Sequence, residues 1–264
     1  MAIPIHQVDA FTDEAFHGNP ACVCIMDRPK DADWMQAVAA EMNLSETAFV
    51  CRRNDGEFDL RWFTPAVEVE LCGHATLAAA HILWETSQLR RTGQARFHTL
   101  SGPLTAELRD DRIELDFPAN PPAAVAPPNG LLDALGIAAT YVGRTRFDFL
   151  VKAQTPRAVR DASPDFGRLK RLGVRGVMIT TRSDEDRFDF VSRSFAPGAG
   201  IDEDPVTGSA HCALAPYWGE KLGKNEMTGY QASKRGGVVH VKLSGDRVKL
   251  AGHAVTVLRG ELVA

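Results

Sequence analysis

Hydrophobic and polar positions along the chain change period from segment to segment, and each change marks an element. Ile3 to Phe11 alternates and predicts a strand. Gly18-Asn19-Pro20 is a turn signal, and Ala21 to Ile25 then reads as a buried strand. From Asp33 to Met42 the spacing becomes helical, with Trp34, Val38, Ala39 and Met42 toward a core. Ala48 to Cys51 is a strand, Asn54-Asp55-Gly56 a hairpin turn, and Phe58 to Phe63 a strand stopped by Pro65. Thr76 to Trp84 is rich in alanine and apolar on every face, which predicts a buried helix. Strands are expected at Gln94–Thr99, Leu104–Leu108 and Ile113–Phe117. Pro118 to Gly130 holds five prolines and two asparagines and reads as a linker.

Beyond the linker the order of elements repeats. Phe147 to Val151 predicts a strand, Phe166 to Leu172 a helix and Gly176 to Thr180 a strand. A turn at Ser183-Asp184-Glu185 leads to a strand from Phe188 to Phe195, stopped by Pro197. A second buried helix opens at Gly208-Ser209. Phe58–Pro65 matches Phe188–Pro197 with two extra residues in the second copy. Gly73 lies eight residues after Pro65, and Gly208 eleven after Pro197. The pattern predicts two related domains, residues 1–118 and 129–264, with the closing strand free to pack back on the first. A cleft between such copies is a natural place for a site. Setting Ala48 against Val177 makes Arg175 the counterpart of Glu46, so the halves differ chemically there.

Composition narrows the class. Of 264 residues, 44% are hydrophobic and 24% charged, which suits a globular chain with its own core. Net charge is −4 and no run of Lys or Arg exceeds two, so neither nucleic acid nor an anionic membrane surface is an expected partner. The N-terminus lacks the basic start and apolar run of a signal peptide, and no stretch approaches 18 apolar residues. Five irregularly spaced cysteines read as free thiols in a reducing, cytoplasmic setting. Cys22 and Cys24 share one face of a strand and read as small buried residues rather than a metal or redox pair.

Several residue types could carry chemistry. Gly73 and Gly208 each open a buried helix, where backbone N–H groups and the positive helix end attract an anion. The bland reading is that glycine permits a sharp turn; its recurrence in both halves favours binding. Asp204 and Glu203 either complement the second helix dipole or, with Ser209, line the cleft. Glu46 is a turn carboxylate just before an apolar strand, usually a solvated position. His74 is an acid, base or orienting group near neutral pH. Cys72 could act as nucleophile or proton carrier, but its counterpart Thr207 supplies no thiolate, which disfavours two-thiol racemase chemistry. No His-x-x-x-His or paired Cys-x-x-Cys is present, so no metal is expected, and His211-Cys212 is assigned to the buried helix. Nothing like Gly-x-Gly-x-x-Gly supports a nucleotide cofactor.

Five segments carry a specific likeness: Asp9-Ala10-Phe11-Thr12, Gly18-Asn19-Pro20-Ala21, Leu44-Ser45-Glu46-Thr47-Ala48-Phe49, Leu71-Cys72-Gly73-His74-Ala75-Thr76-Leu77-Ala78 and Glu203-Asp204-Pro205-Val206-Thr207-Gly208-Ser209-Ala210. In this order they resemble the signature segments of the PhzF family of phenazine biosynthesis. The resemblance implies an α+β, diaminopimelate-epimerase-like fold of two pseudo-symmetric domains, each a mixed sheet or barrel around a central helix, with the site between them. It implies a homodimer, no cofactor and a small carboxylated substrate. The named member isomerises trans-2,3-dihydro-3-hydroxyanthranilate by moving a proton. On that pattern Glu46 is the acid/base, and His74, Asp204 and Ser209 position the substrate or assist proton transfer. Ser45, Gly73 and Gly208 are the substrate-binding positions. Two rival readings are an amino-acid epimerase assisted by Cys72 and a catalytically silent binding protein of the same fold.

Overall fold

A computed structural model of the chain describes residues 2–263. In chain order the elements are β1 (Ile3–Ala10), β2 (Asn19–Met26), α1 (Ala32–Met42), β3 (Glu46–Arg52), β4 (Phe58–Phe63), β5 (Glu68–Val69) and α2 (Gly73–Glu85). They continue with β6 (Ala95–Thr99), β7 (Gly102–Arg109), β8 (Arg112–Pro118), β9 (Ala123–Ala124), α3 (Leu131–Leu135), β10 (Ala139–Arg144), β11 (Asp148–Ala153), α4 (Pro156–Arg160) and α5 (Phe166–Arg171). The last are β12 (Gly176–Arg182), β13 (Phe190–Ala196), β14 (Ile201–Asp204), α6 (Gly208–Leu222), β15 (Glu226–Gln231), β16 (Gly237–Ser244), β17 (Arg247–Gly252) and β18 (Ala254–Leu262). This is a mixed α+β chain with few helices.

The chain divides into two compact units, one holding residues up to Asp116 and those from Ala251 onward, the other Phe117–Leu250. In the first unit β1 pairs antiparallel with both β2 and β18. β2 runs parallel to β3, and β3 antiparallel to β4. β4 is antiparallel to β5 and parallel to β6, which continues antiparallel into β7. Strands β1, β2, β3, β7 and β18 pack around α2. The reason lies in its sequence: Ala75, Leu77, Ala78, Ala79, Ala80, Ile82 and Leu83 occupy every face, and all are 0% exposed. A helix without a polar stripe has no side to give to water, so it is wrapped.

In the second unit β11 pairs antiparallel with β10 and parallel with β12. β12 is antiparallel to β13, which lies antiparallel to β14 and parallel to β15, and β15 is antiparallel to β16. The wrapped helix here is α6, packed on β15 and β16, with Ala213, Leu214, Ala215 and His211 fully buried.

Strand registers show how the units correspond internally. Thr47 faces Phe63 across β3–β4, and Val177 faces Phe195 across β12–β13; each phenylalanine lies two residues before a proline. The register therefore sets Ala48 against Met178, not Val177 as the sequence pattern suggested. The counterpart of Glu46 becomes Gly176, and Arg175 falls one residue earlier. The slip arose because both strands open on a continuous apolar run, which carries no period to fix register. The extra residues of the second copy also fall differently: β13 starts at Phe190, and Phe188-Asp189 belongs to the preceding loop. On the corrected register Arg61 and Arg193 are equivalent. Each grips a glutamate through Nε and Nη2, Glu68 at 2.6 and 2.7 Å, Glu203 at 2.7 and 2.8 Å. Each also lies over a ring, Phe63 at 5.2 Å and Phe195 at 5.0 Å. Both glutamates stand five residues before the glycine that opens a wrapped helix.

The proline-rich stretch is not a free linker. Ala119 N–H donates to Asp246 O at 2.8 Å, Asn120 N–H to Cys212 O at 3.0 Å, and β9 pairs with β10. Prolines remove donors, but the remaining amides still find partners. In α1 the turn-by-turn burial also differs: Met35 is 1% exposed, while Trp34 packs only partly buried beside it.

Arg193 is the more enclosed of the equivalent arginines, and its Nη1 also donates to the carbonyls of Arg160 and Ala162 at 3.1 and 2.6 Å. Arg193→Met strands Glu203 and those carbonyls, a loss of about 3–5 kcal/mol. Urea unfolding of Arg193→Met beside Arg61→Met is expected to show the larger fall in midpoint for Arg193.

Candidate functional site

Three backbone elements of the first unit converge on one spot. β3 places Glu46 at its first position, β2 places Asn19 at its own start, and α2 begins at Gly73 with His74 next. The N-cap of α2, Cys72, is extended (φ −144, ψ 115), and its side chain makes no capping bond to the helix amides. Thr76 instead donates its hydroxyl to the Cys72 carbonyl at 2.5 Å, holding the turn in place. The result is a helix start whose N-cap side chain makes no capping bond, beside a carboxylate and an imidazole.

His74 Nε2 lies 3.0 Å from Glu46 Oε2. Asn19 Nδ2 lies 3.2 Å from His74 Nδ1, and Cys72 Sγ 3.6 Å from the same nitrogen. Exposure is 9% for Glu46, 5% for His74 and 7% for Cys72. The ring thus presents its two nitrogens to different partners. Glu46 Oε2 and His74 Nε2 touch as an ion pair, yet neither atom makes an aligned hydrogen bond. Buried polar atoms in that state are costly.

Burial by itself opposes the imidazolium form of His74. The facing Cys72 and Glu46 outweigh it and hold the ring well above its ordinary 6.5. Burial, reinforced by the Glu46 charge, pushes the Cys72 thiol up. Cys72 therefore resists ionisation, and its sulfur and the Glu46 carboxylate together favour the cationic ring.

Glu46, Cys72 and His74 each offer a ligand atom within 4.8 Å of the others, the geometry of a borderline-soft cation site. Two features disfavour that use. The raised thiol resists becoming the thiolate a metal needs, and the ring turns opposite nitrogens toward the carboxylate and the sulfur. A second cluster, Asp55, Glu57 and His98, already has cations at hand: Arg53 Nε is 3.1 Å from Asp55, and Arg96 Nη1 3.9 Å from Glu57.

The second unit builds a different helix start. Thr207 is the extended N-cap of α6, again without a side-chain cap. Its N–H donates to Gln231 Oε1 at 2.9 Å, and its hydroxyl donates to Asp204 Oδ2 at 2.6 Å. Gln231 Nε2 donates back to the Asp204 carbonyl at 2.6 Å. Asp204 is thus braced in the loop that feeds α6, with Gly208 buried and Ser209 half-buried at the helix start. Arg175 donates through Nε to Asp148 Oδ1 at 2.9 Å and through Nη2 to Asp148 Oδ2, and Nη2 reaches Ser209 Oγ at 3.3 Å. His211 donates from Nδ1 to Thr207 O at 2.8 Å, and burial lowers it to about 4, so it is a neutral helix-core residue.

Of the residues expected from sequence, Glu46, His74 and Gly73 come together in the first unit, with half-buried Ser45 next to Glu46; Asp204, Gly208 and Ser209 come together in the second. Asn19 and Gln231 were not singled out for chemistry. Asn19 sits in the Gly-Asn-Pro segment, where a turn explains it fully; Gln231 belongs to no motif, and only folding brings it to Thr207.

Because His74 titrates above 6.5 when folded, its pairing with Glu46 stabilises the protein fully below that value and loses this contribution as pH rises through the raised value. NMR titration of the His74 ring is expected to show the high value, and Glu46→Gln to bring it down.

Comparison with known proteins gives the chain its family. The family model described as phenazine biosynthesis-like protein matches residues 8–260. An uncharacterized isomerase of Halalkalibacterium halodurans is 54% identical over 264 residues, covering 100% of this chain and 99% of that protein. A crystal structure of a PhzF-family phenazine biosynthesis protein from Enterococcus faecalis superposes with a TM-score of 0.95 at 38% identity, covering 100% of both chains. A hydroxyproline epimerase from Agrobacterium vitis, 12% identical, shares the fold alone, with a TM-score of 0.65 over 99% of this chain and 92% of that one. The fold is diaminopimelate-epimerase-like, and the chain belongs to the PhzC-PhzF, phenazine biosynthesis-like family.

Proposed function

We propose that this protein is a cofactor-independent isomerase that moves a proton between two carbons of a small carboxylated substrate, with Glu46 as the acid/base. The observation that carries the reading is the buried contact of Glu46 Oε2 with His74 Nε2, 3.0 Å apart beside the uncapped start of α2. The isomerase class is supported by the fold and by relatives that bear that name. The closest chemistry is that of trans-2,3-dihydro-3-hydroxyanthranilate isomerisation.

The second unit holds no equivalent carboxylate. A Cβ at Gly176 would lie 2.7 Å from the Phe195 carbonyl oxygen, so no side chain fits at the position matching Glu46. One carboxylate therefore does both halves of the transfer. Glu46 takes a proton from one carbon, holds it as a carboxylic acid and returns it at another, and the electron pair shifts along the substrate between them. No oxidant or reductant enters the balance. His74 as a cation faces Glu46 and offers a proton to charge developing on the substrate. The amides of Gly73 and His74, and those of Gly208 and Ser209, are suited to substrate carboxylate oxygens. Asp204 and Ser209 orient the substrate, and Ser45 joins Gly73 and Gly208 in binding it. A cytoplasmic homodimer without nucleic-acid or membrane partners completes the reading. No helix among the described residues is long and apolar enough to cross a membrane.

The rival in which Cys72 is the proton carrier has one feature in its favour, the 3.6 Å approach of its sulfur to His74 Nδ1. Its raised thiol and its counterpart Thr207 count against it.

The test is deuterium incorporation from heavy water into the dihydro-hydroxyanthranilate and a panel of small amino and hydroxy acids. Glu46→Gln is expected to lower exchange by about 10²–10⁴-fold with the fold intact. Exchange that survives Glu46→Gln but is lost in Cys72→Ala would transfer the chemistry to the thiol.

A further inference from the structure

Arg175 was singled out in the sequence only as a register partner, and the mechanism leaves it unused. Its surroundings give it a definite task. The guanidinium is held on one edge by Asp148, which is 7% exposed and grips both Nε and Nη2. Its face lies over the Phe147 ring, 4.9 Å from the centroid. Two constraints on one planar group fix its plane and its direction. The remaining Nη2–H then reaches Ser209 Oγ at 3.3 Å.

That bond orients Ser209. Arginine has no acceptor atom, so in this contact the serine oxygen accepts through one of its two lone pairs. The single hydroxyl proton of Ser209 is left to point elsewhere, and the adjacent cation makes it a stronger donor. No acceptor for that proton is seen among the described residues. We infer that Arg175 is a positioning residue that takes one lone pair of Ser209 and turns its hydroxyl proton toward the substrate, so that the hydroxyl serves there as a donor to an anionic oxygen, that of a carboxylate.

Asp148 matters as the anchor. Its carboxylate neutralises the guanidinium overall, so the pair does not act as a general anion trap, and selectivity comes from the direction of the hydroxyl. The Gly208 position adds a helix start on the same side of the chain as Ser209, and its amides favour the same negatively charged oxygen. An amine placed there would meet a donor hydroxyl and a helix start of positive potential.

This inference rests on the reading of Ser209 as a substrate-binding residue, so the test uses equilibrium binding, which needs no turnover. Calorimetric titration of the full chain with benzoate and anthranilate, each beside its primary amide, gives the carboxylate preference. Ser209→Ala is expected to weaken carboxylate binding about tenfold and amide binding much less. Arg175→Met is expected to do the same alone, Arg175→Lys to recover part of the loss, and the double variant to lose no more than either single one. Asp148→Asn, which keeps the shape but loosens the anchor, serves if Arg175→Met unfolds, and is expected to give an intermediate loss. Circular dichroism and thermal melting accompany each variant. Additive losses in the double variant, equal losses for carboxylate and amide, or no saturable carboxylate binding to the parent protein would overturn the inference. Heavy-water exchange on the same samples separates the two claims: binding that follows this pattern without any Glu46-dependent exchange leaves the subsite standing and removes the isomerase reading.

Discussion

Each unit is organised around a helix that has no polar face, and the chemistry of this protein follows from that constraint. α2 carries alanine, leucine and isoleucine on all sides, and α6 does nearly the same. Such a helix must be enclosed, so its N-terminus is enclosed with it. The first amides of a helix have no partner within it, and here neither N-cap side chain supplies one. An enclosed, uncapped helix start is a concentrated positive end awaiting a negative group. A carboxylate and an imidazole stand beside the first start, and a serine hydroxyl at the second.

The two starts then diverge. At α2 the neighbours are Glu46 and His74, an ion pair kept close by burial and short of a well-aligned hydrogen bond. At α6 they are a braced loop, with Asp204 and Gln231 locking Thr207, and a fixed arginine beside Ser209. The equivalence of Glu46 with Gly176 makes the asymmetry physical rather than incidental. The Phe195 carbonyl stands where a side chain would begin, so the second unit has no carboxylate at the position matching Glu46. The shared Arg–Glu grips at Arg61 and Arg193 lie on the opposite footing: they are alike in both units because they hold the strand that leads to each helix, and structure, not chemistry, keeps them.

Much of this was legible in the chain. The buried helices announced themselves by apolar residues on every face, and the turn glycines marked where they begin. Glu46, His74, Asp204 and Ser209 stood in segments long enough to be recognised as a family pattern, and the family is now shown. Less visible were β10, α3 and α4, short elements whose mixed composition gives no clear period. The proline-rich stretch misread as a linker shows the same weakness, because proline content reports missing donors and not whether the remaining amides find partners.

The sequence by itself determined element types, the repeat and the identities of the chemical groups, since these depend on local period and on residue type. Register, partnership and protonation were decided by the tertiary structure. Continuous apolar strands such as Ala48–Cys51 slide without changing their pattern, so only the observed pairing could set Glu46 against Gly176 rather than Arg175. Asn19 beside His74, Gln231 beside Thr207 and Arg175 beside Ser209 are contacts across 55, 24 and 34 residues of chain. The raised imidazole of His74 comes, against the effect of burial, from the facing Cys72 and from a carboxylate 28 residues away in sequence, partners that meet only once the chain is folded.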